Sequence, residues 1–229
     1  MADSTSAQQP LAGLRVIEVG QLLAGPWAGT ILGYFGAEVI KVEPPETGDP
    51  IRRWRKLKNG QSLWWSSLAR NKKCVTLDLK SARGRELMAE LMNGADVLVE
   101  NFKPGTMEKW GLGPEVFRES NPGLIYARIS GYGQTGPSAP KPGFASVCEG
   151  FGGFRYVNGF PGEPPVRPNL SIGDTLAGLH AAMGILLAYI NRNRADGGNG
   201  QVVDVAIFES VFSLLEGVVP EFDGAGIIR

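Results

Sequence analysis

Histidine is almost missing from this 229-residue chain: His180 is the only one. That removes the commonest general acid–base group and the commonest metal ligand from nearly the whole sequence. Cysteine is as scarce. Cys74 and Cys148 stand far apart, with no CxxC and no neighbouring histidine, which leaves no support for a zinc site or a disulfide framework. No metal site is expected, and a reduced compartment is: the cytoplasm first, with mitochondrion and peroxisome left open. Net charge is missing too, because Lys plus Arg and Asp plus Glu both number 23. No global field therefore recruits nucleic acid or an anionic membrane surface, and anion binding has to be local. No apolar run reaches the roughly 20 residues of a bilayer span. The opening "MADSTSAQQP" lacks arginine and any apolar stretch, so residues 1–10 read as a disordered leader rather than a targeting signal.

What the chain does have is glycine, 32 of them without a repeat period, pointing to tight turns and close backbone approaches. "LRVIEVG" (14–20) alternates and stops at glycine, as a buried strand does. In "PWAGTILGYFG", Pro26 suits a first helical turn and Gly36 a helix end. "AEVIKVEPP" is a second strand closed by prolines, which completes a βαβ unit. The grammar returns with "KCVTLDLK" as strand, "ARGRELMAELMNG" as amphipathic helix and "ADVLVENF" as strand. A short helix near "GPEVFRESNP" then precedes a strand at "LIYARISGYG", and a further strand and helix follow "NRADGGNG". The fold class is α/β: a doubly wound, Rossmann-like parallel sheet with helices on both faces. Residues 11–229 form one domain. Two long excursions, residues 47–73 and 133–169, break the pattern and are the places to look for function.

The first strand is followed by Gly20, Gly25 and Gly29, which is not the GxGxxG spacing of a dinucleotide site, although Glu43 imitates its ribose-binding acid. Helix–sheet packing is the plainer role for Gly29 and Gly33. No P-loop is present. The excursion at 47–73 interleaves Arg52, Arg53, Arg55, Lys56 and Lys58 with Trp54, Trp64 and Trp65. Such a mixture either binds phosphate and stacks on adenine or is a solvated loop anchored by its tryptophans. Both readings stay open.

"NLSIGDTLAGLHAAMGILLAYI" (169–190) sets Asp174 between a glycine and a small, apolar helical run. As an N-cap it would satisfy free amides and gain from the helix dipole. The same surroundings would hold a carboxylate ionised and able to attack an electrophile. His180, six residues on, points about 240° away on a helix and is no partner for it.

Five segments in order resemble the class III CoA-transferase family, which includes formyl- and carnitine-CoA transferases and α-methylacyl-CoA racemases. They are "LAGLRVIEVGQLLAGPWAGTILGYFGAEVIKVEPP", "LARNKKCVTLDLK", "ADVLVENFKPGTMEKWGLG", "PGLIYARISGYGQTGP" and "IGDTLAGLHAAMGILLA". The resemblance implies a CoA-transferase with Asp174 as covalent nucleophile and coenzyme A as substrate rather than as a tightly bound cofactor. It implies an acyl-CoA donor, a carboxylate acceptor and, at full length, an interlocked homodimer. It covers about the first half of a family member, so the smaller second domain is expected outside this chain. A non-catalytic CoA- or partner-binding domain is accordingly an alternative.

The CoA contacts carried over are Leu23 and Ala24, Leu77, Asp78, Leu79 and Lys80, Asn101 and Phe102, Lys103 where many relatives have arginine, and Lys109. Leu23 replaces a glutamine of formyl-CoA transferases. Pro44 replaces a nucleotide-contacting arginine, a contact that Arg52 or Arg53 would have to supply. Phe144 stands where the racemase branch has a histidine, which favours transfer over racemisation.

Overall fold

The computed structural model describes residues 9–228; the first eight residues of the expected leader lie outside the described residues. Six parallel strands form the central sheet: β1 (Arg15–Glu18), β2 (Glu38–Glu43), β5 (Lys72–Thr76), β6 (Val97–Glu100), β7 (Ile125–Ser130) and β8 (Val202–Ala206). A separate antiparallel pair, β3 (Leu57–Lys58) and β4 (Gln61–Ser62), lies in the first excursion. The sheet order β5-β2-β1-β6-β7-β8 is the doubly wound one, with the direction of winding reversing between β1 and β6.

Alternation along each strand explains why both faces are covered. Val16, Val97, Val99, Ile125, Ala127 and Ile129 point to one core. Ile17, Leu98 and Tyr126 point to the other. On the first face lie α1 (Ala24–Tyr34) and the long α7 (Ile172–Arg192), and on the second α3 (Ala82–Asn93). The short α4 (Thr106–Lys109) and α5 (Phe117–Ser120) complete the second face through Met107 and Phe117. The helix α1 ends as its sequence indicates, with Gly36 at φ 101° just beyond it. The cap of α3 is Ser81, whose Oγ accepts the Gly84 N–H at 3.0 Å.

Four expectations need correction. β5 ends at Thr76, so Leu77–Lys80 form a turn: the Asp78 carboxylate accepts the Lys80 N–H at 3.0 Å and closes it. The excursions, expected to be functional or disordered, are ordered here and hold short helices, α2 (Leu63–Leu68) and α6 (Ala145–Phe151). After β8 the chain makes not one helix but two, α8 (Ile207–Phe212) and α9 (Val218–Ala225). Finally, α7 is long and apolar enough, by length and composition, to cross a membrane. In this fold its Ala177, Ala181, Ile185 and Ala188 face the sheet core, while Leu179, Met183, Leu187 and Ile190 are exposed.

Candidate functional site

In a doubly wound sheet the crevice opens beyond the carboxyl ends of the strands, where the winding reverses. Here that point is held by Asn101, directly after β6. Its Oδ1 accepts the Gln21 N–H at 2.7 Å and its Nδ2 donates to the Gln21 carbonyl at 2.9 Å, tying the β1–α1 loop to the β6 end. Next to Gln21, Leu22 adopts φ 62°, a left-handed conformation that costs a leucine energy. Asp49 fixes it, accepting the Leu22 N–H at 3.1 Å. Leu23 and Ala24, both buried, follow directly and start α1.

Asp49 belongs to a chain of buried charges beneath this loop. Lys41 Nζ lies 2.8 Å from Asp49 Oδ2 and 2.9 Å from Glu18 Oε1, and it donates to the Gly20 carbonyl at 3.0 Å. Lys72 Nζ reaches the other Glu18 oxygen at 2.7 Å and the Pro26 carbonyl at 2.7 Å. Burial disfavours the Lys41 ammonium, but Glu18 and Asp49 outweigh it and hold its pKa above the ordinary lysine value. For Lys72 burial prevails and the pKa is lowered. Gly29 is required here, because a Cβ on it would sit 2.0 Å from Glu18 Oε2. The packing role expected for this glycine is what the structure gives it.

The basic excursion splits between its two readings. Arg52 is committed to the fold: Nε donates to Glu43 Oε1 at 2.9 Å, and the guanidinium lies 3.5 Å from the Trp65 ring centre. Arg53 is exposed and donates to the Thr47 carbonyl at 2.7 Å. Ser62 caps α2 by accepting the Trp64 and Trp65 N–H groups. Trp64 then lines a cavity of about 570 Å³ bounded by α2, the start of α1 and the start of α7, with Leu23, Trp27, Leu63, Leu170 and Leu176 among its walls.

The other proposed coenzyme contacts lie along the same carboxyl edge. Leu77 and Leu79 pack into the second core, with Asp78 and Lys80 exposed between and beyond them. Phe102 stacks edge-on to Trp110, ring centres 5.2 Å apart, and Lys103 and Lys109 are exposed. The edge thus gathers Leu23, Ala24, Asn101 and Phe102 at the reversal point, with Arg52 and Arg53 beside them and Leu77–Lys80 one strand further out.

Asp174 lies in the first turn of α7 but is not its cap. The helix starts at Ile172 after Ser171, so Asp174 is its third residue, and no side chain at Ser171 caps it. The Gly173 N–H is taken instead by Glu149 Oε1 of α6, at 3.3 Å. The sequence concealed this partner, which lies 24 residues upstream across an irregular segment. Glu149 is fully buried and paired with Arg155 at 3.2 Å, while Arg167 approaches at 3.8 Å. Asp174 accepts no hydrogen bond from any described residue. Burial, followed by the charge of Glu149, pushes its carboxyl up to about 6, against a downward pull from Arg167. Burial and the neighbouring Glu149 thus raise this carboxyl instead of lowering it, and above about pH 6 it is an anion.

One turn further along α7, a Cβ on Gly178 would meet the Ala24 carbonyl at 2.8 Å, so α7 crosses α1 in near-backbone contact. That crossing brings Asp174 beside the β1–α1 loop. His180 is partly buried further along the same helix. Phe144, 74% exposed at the start of α6, brings no proton-transfer group. Among the described residues no cluster of His, Cys, Asp and Glu could hold a metal.

The fold and site define a doubly wound α/β protein with a partly buried, unpaired carboxylate at the carboxyl edge of its sheet. The chain belongs to CoA-transferase family III, whose sequence profile matches residues 11–226. It is 51% identical to a succinyl-CoA–D-citramalate CoA-transferase of Chloroflexus aurantiacus, over 96% of this chain and 55% of that protein. It is 49% identical to the alpha subunit of a succinyl-CoA–L-malate CoA-transferase of the same species, over 97% of this chain and 52% of that one. A CaiB/BaiF family crystal structure from Brucella suis superposes with a TM-score of 0.91 at 36% identity, covering 97% of this chain and 59% of the other. The chain spans about half the length of the curated relatives it matches.

Proposed function

We propose that the chain is the nucleophile-bearing part of a transferase that moves coenzyme A from an acyl-CoA thioester to a carboxylic acid through a covalent aspartyl intermediate. The observation that carries this reading is the placement of Asp174: Glu149 takes the Gly173 N–H, which leaves Asp174 half-buried with no hydrogen bond from any described residue, and burial pushes its carboxyl up to about 6. Above that pH it is an anion with no hydrogen bond to blunt it, and a carboxylate nucleophile needs no base to deprotonate it. The near absence of histidine is then no handicap.

The chemistry runs in two matched halves. Asp174 attacks the thioester carbonyl and expels CoA thiolate, leaving a mixed anhydride. The thiolate attacks the aspartyl carbonyl and releases the donor acid, leaving an aspartyl-CoA thioester. The acceptor carboxylate then attacks that aspartyl carbonyl, forming a second anhydride and freeing the thiolate. Attack of the thiolate on the acceptor's acyl carbon yields the new acyl-CoA and restores Asp174. The β1–α1 loop at Leu23 and Ala24, the β6 end at Asn101 and Phe102, and the Leu77–Lys80 turn would hold the coenzyme. Lys103, Lys109 and Arg53 would meet its phosphates. Arg52 would act mainly through Glu43 and Trp65. The names of the relatives support succinyl-CoA as donor, and full-length chains would pair as an interlocked homodimer in the cytoplasm.

Racemisation is disfavoured by Phe144, which offers no second acid–base group. Incubation with a labelled acyl-CoA followed by hydroxylamine or borohydride trapping and mass spectrometry tests the proposal. An adduct at Asp174 is expected. A protein that binds CoA yet never carries an adduct there would refute the mechanism, and exchange of the α-proton of a 2-methylacyl-CoA into deuterated water would point to racemisation instead.

A further inference from the structure

The cavity at the first turn of α7 has two features that CoA binding and nucleophilic attack do not use. Its walls are apolar and aromatic, with Trp27 and Trp64 prominent, and two arginines, Arg55 and Arg167, line it as well. Its volume, about 570 Å³, is in the range of small-molecule sites. Other arginines of the fold, such as Arg52, Arg128, Arg155 and Arg192, sit in short ion pairs. Arg55 has no carboxylate partner among the described residues. It is held at φ 61°, with its guanidinium 5.4 Å from the Trp64 ring centre. Arg167 makes only a 3.8 Å approach to Glu149, a carboxylate that Arg155 already engages at 3.2 Å. Two guanidinium groups with unspent donors therefore share one open, largely apolar cleft.

The cavity runs along the first turn of α7; Asp174 is not among its walls, but Arg167, which is, also reaches Glu149 beside Asp174 at 3.8 Å. Ser171, Ile172 and Thr175 line it on either side of Asp174 along α7. An acid whose reacting carbonyl sits at Asp174 would extend its carbon chain between Trp27 and Trp64. Whatever polar group the chain carries at its far end would meet Arg55 and Arg167.

We infer that Arg55 and Arg167 form the receptor for the distal carboxylate of a dicarboxylic acyl group, and so select dicarboxylic over monocarboxylic substrates. This rests on the CoA-transfer reading above and adds the residues that set its acid specificity. A guanidinium meets a carboxylate through two parallel hydrogen bonds, and the Trp27 and Trp64 rings beside it supply apolar surface for the carbon chain. A monocarboxylic chain of the same length would leave both cations facing apolar methyl groups.

The test compares succinyl-CoA with butyryl-CoA, two four-carbon thioesters that differ in the distal carboxylate. Each is titrated into the whole chain while quenching of tryptophan fluorescence is followed. The wild type should bind succinyl-CoA about tenfold or more tightly than butyryl-CoA, the scale of one charge-assisted hydrogen bond. The double variant Arg55→Gln/Arg167→Gln should bind both equally, with its butyryl-CoA affinity unchanged, which also shows that it is folded. A preference that survives in the double variant, or none in the wild type, overturns the assignment. Equal weakening of both thioesters overturns it as well, since the arginines would then be holding CoA phosphates. No quench with either thioester removes the CoA reading itself, and this inference with it.

Discussion

Replacing Asp174 by asparagine should stabilise the protein at neutral pH, even though it removes the proposed nucleophile. Burial and the charge of Glu149 push the carboxyl from 3.8 up to about 6. The folded state therefore holds this proton to higher pH than the unfolded chain does. Stability is lost as pH rises from about 4 through 6, on the order of 3 kcal/mol for a shift of that size. The residue is only partly buried, so solvent screening makes this an upper value. Asparagine keeps the shape and carries no charge at any of these pH values. Urea unfolding of wild type and Asp174→Asn, followed by tryptophan fluorescence, should show equal stability near pH 4. At pH 8 the variant should be ahead by about 1–3 kcal/mol, with an unchanged urea slope. A variant less stable than wild type at pH 8, or a difference that does not change with pH, would refute the account of this carboxylate. The same titration predicts that adduct formation at Asp174 falls about tenfold per pH unit below 6.

Glu149→Gln keeps an oxygen for the Gly173 N–H but removes the negative charge beside Asp174, so the acid limb of adduct formation should move to lower pH. An unmoved limb would mean that burial alone sets it. In Gly29→Ala the new Cβ would fall 2.0 Å from Glu18 Oε2 and force the buried ion network apart. Urea unfolding should register a loss of about 3 kcal/mol or more, and a loss below 1 would mean that α1 yields instead. Asp49→Ala leaves Lys41 with one carboxylate and the Leu22 N–H without its acceptor. Hydrogen exchange at Leu22 should accelerate and stability should fall by about 3–5 kcal/mol. Cys74 is exposed and Cys148 buried, so a thiol reagent should label Cys74 alone until the chain unfolds. Burial and then Glu43 raise the Cys74 pKa, so labelling at pH 8 should be slower than for a free thiol.

The sheet was legible because each strand carries its signal locally. "RVIEVG" and "VIKVE" alternate across two buried faces and end at glycine or proline, and α3 shows its amphipathic period. The short elements of the excursions were not legible. Two-residue strands and six- or seven-residue helices are too brief for a period to emerge, and they are set by contacts such as Arg52 with Trp65 that cross sequence boundaries. The buried charge network did leave a trace. Glu18, Lys41, Glu100 and Arg128 are charges set among apolar strand residues, and a buried charge there has to find a partner from another strand. Lys41 meets Glu18, and Arg128 meets Glu100 at 2.7 Å.

At the site, Asp174 was legible as a residue but not as an environment. A carboxylate that caps a helix is held by the amides it satisfies, and those bonds stabilise its charge and lower its pKa. A carboxylate that attacks a thioester needs its lone pairs free. One residue would meet these demands poorly, and in the proposed mechanism they fall to two. Glu149, anchored by Arg155, takes the Gly173 N–H and adds a negative charge beside Asp174. Asp174 is left in the helix's first turn with a raised pKa and no donor. Of the two neighbouring carboxyl groups, one holds backbone and the other keeps its lone pairs free. No local motif could announce this, because the cap arrives from α6 and the cation that tempers both charges, Arg167, comes from the irregular stretch between the two helices.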